Sequence, residues 1–131
     1  MSPELKELVA MRLKKADETL KDAGILAGAG SYFGAVNRLY YASFYAARAL
    51  LAVKGFDSPK HSGVIAIFNK EFVKEGIISK DLGRILNDLF EIRTAGDYED
   101  NKIFSKAEVD DYLTKCSTFI TGVKQALKQQ S

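Results

Sequence analysis

Apolar side chains recur along this chain at steps of three and four residues, in blocks that each suit one buried helix face. Over residues 3–27 the stripe runs Leu5, Val9, Leu13, Ala16, Leu20, Ala23 and Ala27. Gly28, Gly30 and Ser31 break it, and Ser31 stands as the expected N-cap of the next block. Residues 32–54 continue helically through Phe33, Val36, Tyr40, Phe44, Ala47 and Leu51, ending at Gly55 in the position that favours glycine after a C-cap. Pro59 closes the loop that follows. His61 to Glu75 predict a shorter third helix on Val64, Ile67, Phe68 and Phe72, with Gly76 at its end. A fourth, over residues 80–95, spaces Leu82, Ile85, Leu86, Leu89 and Phe90 as one stripe. Ser105-Lys106-Ala107-Glu108 reads as a capping box opening a fifth, whose stripe is Val109, Tyr112, Leu113, Cys116, Phe119, Ile120, Val123 and Leu127. No segment alternates for long with period two, and neither an Asn-Gly nor an Asp-Gly hairpin signal occurs. The pattern predicts an all-α bundle whose short connections make neighbours mostly antiparallel.

Composition adds limits. A chain of 131 residues, 47% hydrophobic and 27% charged, is one globular domain's worth of polypeptide, so the expected domain spans 1–131. Nineteen Lys and Arg against seventeen Asp and Glu leave +2, which excludes a strongly basic nucleic-acid coat but allows a local basic site. Cys116 alone forms no internal disulfide, and with His61 as the one histidine there is no zinc site of the usual N/S kind. Neither a metal nor another cofactor is expected. The run Met1–Glu7 carries no apolar core of a secretory signal. Tyr32–Val53 is long enough to span a bilayer but holds Asn37, Arg38 and Arg48, and each mid-membrane Arg would cost ~2.5–3.5 kcal/mol. It reads as a buried helix of a soluble protein in a reducing compartment, hence cytoplasmic and without a membrane partner.

Two places depart from what a plain core needs. Tyr32, Phe33, Tyr40, Tyr41, Phe44 and Tyr45 crowd into the start of the second helix. Asn37, Tyr41 and Arg48 fall near one face of it, with Arg38 and Tyr45 beside them. Aromatic rings interleaved with arginines suit stacking on bases and pairing with phosphate, or a subunit seam. On the fourth helix, extending the stripe by four puts Arg93 on the apolar face and Asp97 one turn on. An arginine there needs a partner, which a pair with Asp97, a subunit seam or a bound anion would each supply. His61, flanked by Lys60 and Ser62, stands at the expected N-terminus of the third helix, where anions are favoured and a neutral imidazole can serve as a general base. Cys116, on the last helix's apolar stripe, reads as a small buried hydrophobe.

Together these residues resemble a known family. Asn37-Arg38-Leu39-Tyr40-Tyr41-Ala42-Ser43-Phe44-Tyr45-Ala46-Ala47-Arg48 looks like the second helix of HEPN-domain proteins. Lys60-His61-Ser62-Gly63-Val64, Phe72-Val73-Lys74-Glu75-Gly76 and Arg93-Thr94-Ala95-Gly96-Asp97-Tyr98 match in the same order. The resemblance implies an up-and-down helical bundle of about five helices with one short extra helix, usually a homodimer. It also implies a nucleotide- or RNA-binding module that acts with a minimal nucleotidyltransferase in a toxin–antitoxin pair. Active relatives share an Arg-x4-His motif on a late helix. Here the Arg is Arg93, but Tyr98 occupies the His slot.

Metal-independent RNA cleavage needs a group to move protons and a cation for the phosphorane charge. Arg93 fits the second role, whereas a tyrosine of ordinary pKa ~10 is a poor base at neutral pH. Either His61 substitutes from another helix, or the protein binds RNA or nucleotides without cutting. The expected catalytic residues are therefore His61 and Arg93, and the expected binding residues are Asn37, Arg38, Tyr41, Arg48, Asp97 and Tyr98. The resemblance further makes Tyr98 a potential modification target for a transferase partner. A purely structural helical protein, with the aromatics and arginines forming a dimer seam, is the competing expectation.

Overall fold

A computed structural model describes residues 1–98 and 103–130, with the side chains of residues 96–98 outside the described set. Its helices are α1 (Pro3–Gly28), α2 (Tyr32–Val53), the short α3 (His61–Phe68), α4 (Lys80–Tyr98) and α5 (Lys106–Gln130). A π-helical turn, Asn69–Val73, follows α3 directly. No strand occurs among the described residues. Ser2 caps α1 by accepting from the Leu5 amide at 3.1 Å, with Pro3 at the start where its missing N–H costs nothing. The expected capping box of α5 is formed reciprocally: the Ser105 amide donates to Glu108 Oε1 and the Glu108 amide to Ser105 Oγ, both at 3.1 Å. Ser31 takes the N-cap position of α2 but makes no side-chain cap bond.

Inter-helix contacts give the topology. Arg12 meets Arg48 and Lys15 meets Tyr45, so α1 and α2 run antiparallel. Ser43 of α2 touches Cys116 of α5, and Lys124 of α5 bonds both carboxylate oxygens of Asp17 on α1. α4 packs against both α2 and α5, with Arg93 against Tyr41 at one end and Leu82 over Gly122 at the other. The bundle is thus up-and-down, and α2 is its central helix, packed against α1, α3, α4 and α5.

That position explains the apolar composition of α2: Leu39, Tyr40, Leu50 and Leu51 are fully buried, as are five of its alanines. Small side chains at such seams let helix axes approach closely. No helix among the described residues is long and apolar enough to cross a membrane. α2 therefore buries its apolar surface against four neighbours.

The third helix is the one element whose form differs from expectation. The α-helix stops at Phe68, and a wider turn carries the chain on, with the Lys74 amide donating to the Asn69 carbonyl at 2.8 Å. Asn69 there exchanges amide hydrogen bonds with Asn87 of α4, at 3.0 and 3.4 Å. The same turn sets Phe72 in the core, stacked 5.9 Å from Phe68. Gly76, at φ +79°, then ends the segment, and the Ile77 and Ile78 amides both close onto the Phe72 carbonyl.

Candidate functional site

Tyr40 and Tyr41 are consecutive on α2, so their side chains diverge by about 100° around its axis. Tyr40 points into the core and is fully buried, while Tyr41 lies half-buried at the rim. α3 begins at His61 and lays its imidazole across them. The ring stacks 4.2 Å from Phe44, meets Tyr41 edge-on at 5.6 Å, and shares a 3.1 Å hydrogen bond between Nδ1 and the Tyr40 hydroxyl. α4 supplies Arg93, whose Nη2 donates to the Tyr41 hydroxyl at 3.1 Å. Its guanidinium lies 5.3 Å from the Tyr40 ring centre and 5.4 Å from that of Tyr41. Arg38 covers Tyr41 as well, at 4.9 Å, held by donating Nε and Nη2 to Asn37 Oδ1. Four elements of the expected site, Asn37–Arg38, Tyr41, His61 and Arg93, are thereby one connected group.

Burial, then the charges of Arg93 and Arg48, hold the His61 pKa below its ordinary value of 6.5, so the ring is neutral at pH 7. Burial likewise holds the Tyr40 phenol well above its ordinary range, against the pull of Arg93. Tyr40 therefore stays protonated, and its oxygen can accept from Nδ1–H, in the tautomer whose Nε2 keeps a free lone pair. Neutral imidazole, neutral phenol and two fixed guanidiniums make a site that is cationic overall, with one group suited to moving protons.

Arg48 lies two turns along α2 from Tyr41 and belongs to a second lobe. Its Nη2 donates to Asp57 Oδ2 at 2.9 Å, and Arg12 of α1 approaches the same oxygen at 3.7 Å while donating Nη1 to the Arg48 carbonyl at 2.9 Å. Between this lobe and His61 opens a cleft of about 490 Å³ lined by Phe44, Arg48, Asp57, Ser58, Pro59 and His61. The loop closing the cleft folds onto the start of α3 because Gly63 has no Cβ; one placed there would overlap Ser58 Oγ and lie 2.9 Å from Ser58 Cβ. The side chains of Asp97 and Tyr98, and with them any Arg93–Asp97 pair, lie outside the described residues. Among the described residues no group of three or more His, Cys, Asp or Glu side chains gathers to hold a metal ion.

Sequence reasoning placed Tyr40 and Phe44 in the aromatic cluster but did not foresee their contacts with His61. It missed Arg12, Asp57 and Ser58 entirely. The pairing of Arg12 with α2 follows from antiparallel packing and was open to inference; Asp57, on an aperiodic loop, left no signal.

A family model for the HEPN domain matches residues 9–126. The chain belongs to the HEPN family. This HEPN chain is 39% identical to a UPF0332 protein of Thermotoga maritima over 125 residues, covering 95% of each. It is 34% identical over 129 residues to a Methanocaldococcus jannaschii protein named "Putative toxin MJ0605", covering 98% of this chain and 96% of that one. A crystal structure of a Thermus thermophilus protein superposes with a TM-score of 0.74 at 18% identity, over 90% of this chain and 97% of the other, and shares its fold.

Proposed function

We propose that this HEPN protein is a nucleotide- or RNA-binding module of the toxin type, working as a cytoplasmic homodimer with a minimal nucleotidyltransferase. The observation that carries the reading is the gathering of His61, Arg93 and Arg38 around Tyr40 and Tyr41, three helices contributing to one cationic, aromatic surface. Tyr41, half-buried at the rim, supplies an aromatic contact for a base, and Arg38 and Arg93 beside it supply fixed donors for phosphate oxygens. The M. jannaschii relative, similar over nearly the full length, carries a toxin name, which supports the same class.

RNA cleavage by this site is slow and metal-independent. His61 takes the proton of a 2′-hydroxyl on an unprotonated Nε2 while its Nδ1–H donates to the Tyr40 oxygen and so fixes the ring, and Arg93 stabilises the charge that develops on phosphorus-bound oxygen. Tyr98 sets no pH dependence near neutrality, because an ordinary phenol holds its proton there. The test is single-turnover cleavage of a labelled single-stranded RNA, with a chelator present, by wild type, His61→Ala and Tyr98→Phe. His61→Ala is expected to lose about 10²–10⁴-fold in rate and Tyr98→Phe much less. Undiminished cleavage by His61→Ala would refute the assignment, and no cleavage by wild type would leave a binding module without enzyme activity.

A further inference from the structure

The second lobe holds a charge imbalance that the His61 site does not use. Two guanidiniums from different helices converge on one carboxylate oxygen, so the Arg12–Arg48–Asp57 cluster keeps a net positive charge. The cations are its fixed part. Arg12 is 16% exposed and pinned to the Arg48 carbonyl, and Arg48 is 30% exposed with α2 behind it. The anion is the accessible part: Asp57 is 49% exposed, on the loop that follows Gly55 at φ +76°.

A structural staple would be complete with one arginine and one aspartate. The second guanidinium adds repulsion, and burial together with the Arg48 charge holds Arg12 below its ordinary pKa. Arg48 Nε is buried and has no hydrogen-bond partner among the described residues, so its planar fork is only partly used. The roughly 490 Å³ cleft is lined at one end by Arg48 and Asp57 of this cluster and runs towards the stacked Phe44 and His61 rings, with Ser58 on its wall; Arg12 reaches it through the Asp57 oxygen it shares with Arg48. That volume lies within the range of small-ligand sites.

We propose that Arg12 and Arg48 form a phosphate clamp, and that Asp57 is its internal stand-in, displaced when a nucleotide phosphate enters the cleft beside His61. The clamp rests on the nucleotide- or RNA-binding reading given above and adds a second subsite to it. A phosphate brings more acceptor oxygens than the carboxylate it replaces and meets two donors already in place. The ligand chemistry is a phosphate ester, either a diester within an RNA strand or the monoester of a free nucleotide.

The test uses the full chain, with fluorescence anisotropy on a labelled single-stranded RNA of about ten nucleotides and equilibrium dialysis with AMP. Asp57→Asn keeps the oxygen that accepts from the Ser58 amide, puts an amide nitrogen in place of the oxygen facing Arg48, and removes the competing charge. It is expected to bind about tenfold more tightly than wild type, the size of one charge-assisted hydrogen bond. Arg12→Gln is expected to bind about tenfold more weakly, with a salt dependence shallower by about 0.7 in log–log slope for one lost phosphate contact. Tightening for RNA alone assigns a strand diester, and tightening for AMP as well assigns a terminal monoester; either supports the clamp. Misfolding cannot mimic a gain, so Asp57→Asn decides the matter even if Arg12→Gln is unstable. Asp57→Asn binding no better than wild type, while Arg93→Ala weakens binding, would overturn the clamp and leave the first reading intact. Absence of binding by wild type and Asp57→Asn alike would overturn both.

Discussion

At His61 an imidazole is held beside two arginines, with one nitrogen tied to a phenol that keeps its proton. Its folded pKa lies below the 6.5 of the unfolded chain, so below that pH the unfolded state binds the proton more readily. The stability this group contributes is complete above pH 6.5 and is lost as pH falls from there through the folded pKa. His61 is the one histidine in the sequence, and its ring carbon protons give an isolated NMR titration. The midpoint is expected below 6.5 in wild type, shifting upward in Arg93→Ala as the repelling charge goes. A wild-type midpoint at or above 6.5 would show that the ring is not buried against that charge. Cys116 gives a second residue-scale check. Burial pushes its thiol up to about 11 despite contact with Ser43, so native protein should resist thiol reagents at mildly alkaline pH. Labelling there should follow unfolding alone, and rapid labelling of the folded chain would contradict the packing.

Among the elements, α4 and the π-helical turn make a tight seam where Gly83 lies against Val73. A Cβ at Gly83 would sit 2.7 Å from one Val73 methyl and 3.3 Å from the other, and a β-branched side chain has little rotamer freedom to retreat. Gly83→Ala should raise helix propensity by about 1 kcal/mol yet still destabilise, because overpacking costs about 1–3 kcal/mol. Urea denaturation measures the balance, and a stabilised variant would show that the seam relaxes freely. The five helices were legible because each buries one stripe, and stripes survive in sequence as three- and four-residue spacing. The capping box was legible because its two members are local. The π turn was not, since nothing between Phe68 and Val73 signals a wider hydrogen-bond ring; it accompanies an Asn69–Asn87 contact with α4. Half of the candidate site was legible on the same terms. Arg93 stood out as a charge on an apolar stripe and Tyr41 as part of the polar, aromatic flank of α2, and helix packing joined them. Asp57 belongs to a loop, where no periodicity says which way a side chain faces.

Across the whole molecule, the central helix carries both lobes while its N-terminal end leaves apolar surface outside. Phe33 is 51% exposed and pairs with Phe104, beside Ile103 at 84%. Such surface suits burial against a second copy about a two-fold axis. Light scattering at high micromolar concentration should return twice the 14.5 kDa chain mass, and a persistent monomer mass would refute the dimer. Phe33→Glu is expected to shift that equilibrium towards monomer, since it places a charge in the buried patch.

The most direct measurement of the two-lobed surface as a ligand site is the affinity of Arg93→Ala for single-stranded RNA, read beside its thermal midpoint. Arg93 donates to the partly buried Tyr41 hydroxyl and lies over the Tyr40 and Tyr41 rings, both of which keep His61 as a neighbour without it, so its removal should cost little folding stability. The expected result is affinity weakened by about tenfold or more, as for loss of a charge-assisted hydrogen bond, with the midpoint changed by only a few degrees. A large fall in the midpoint with RNA binding unchanged would contradict it, making Arg93 a structural brace and the cationic surface something other than a binding site.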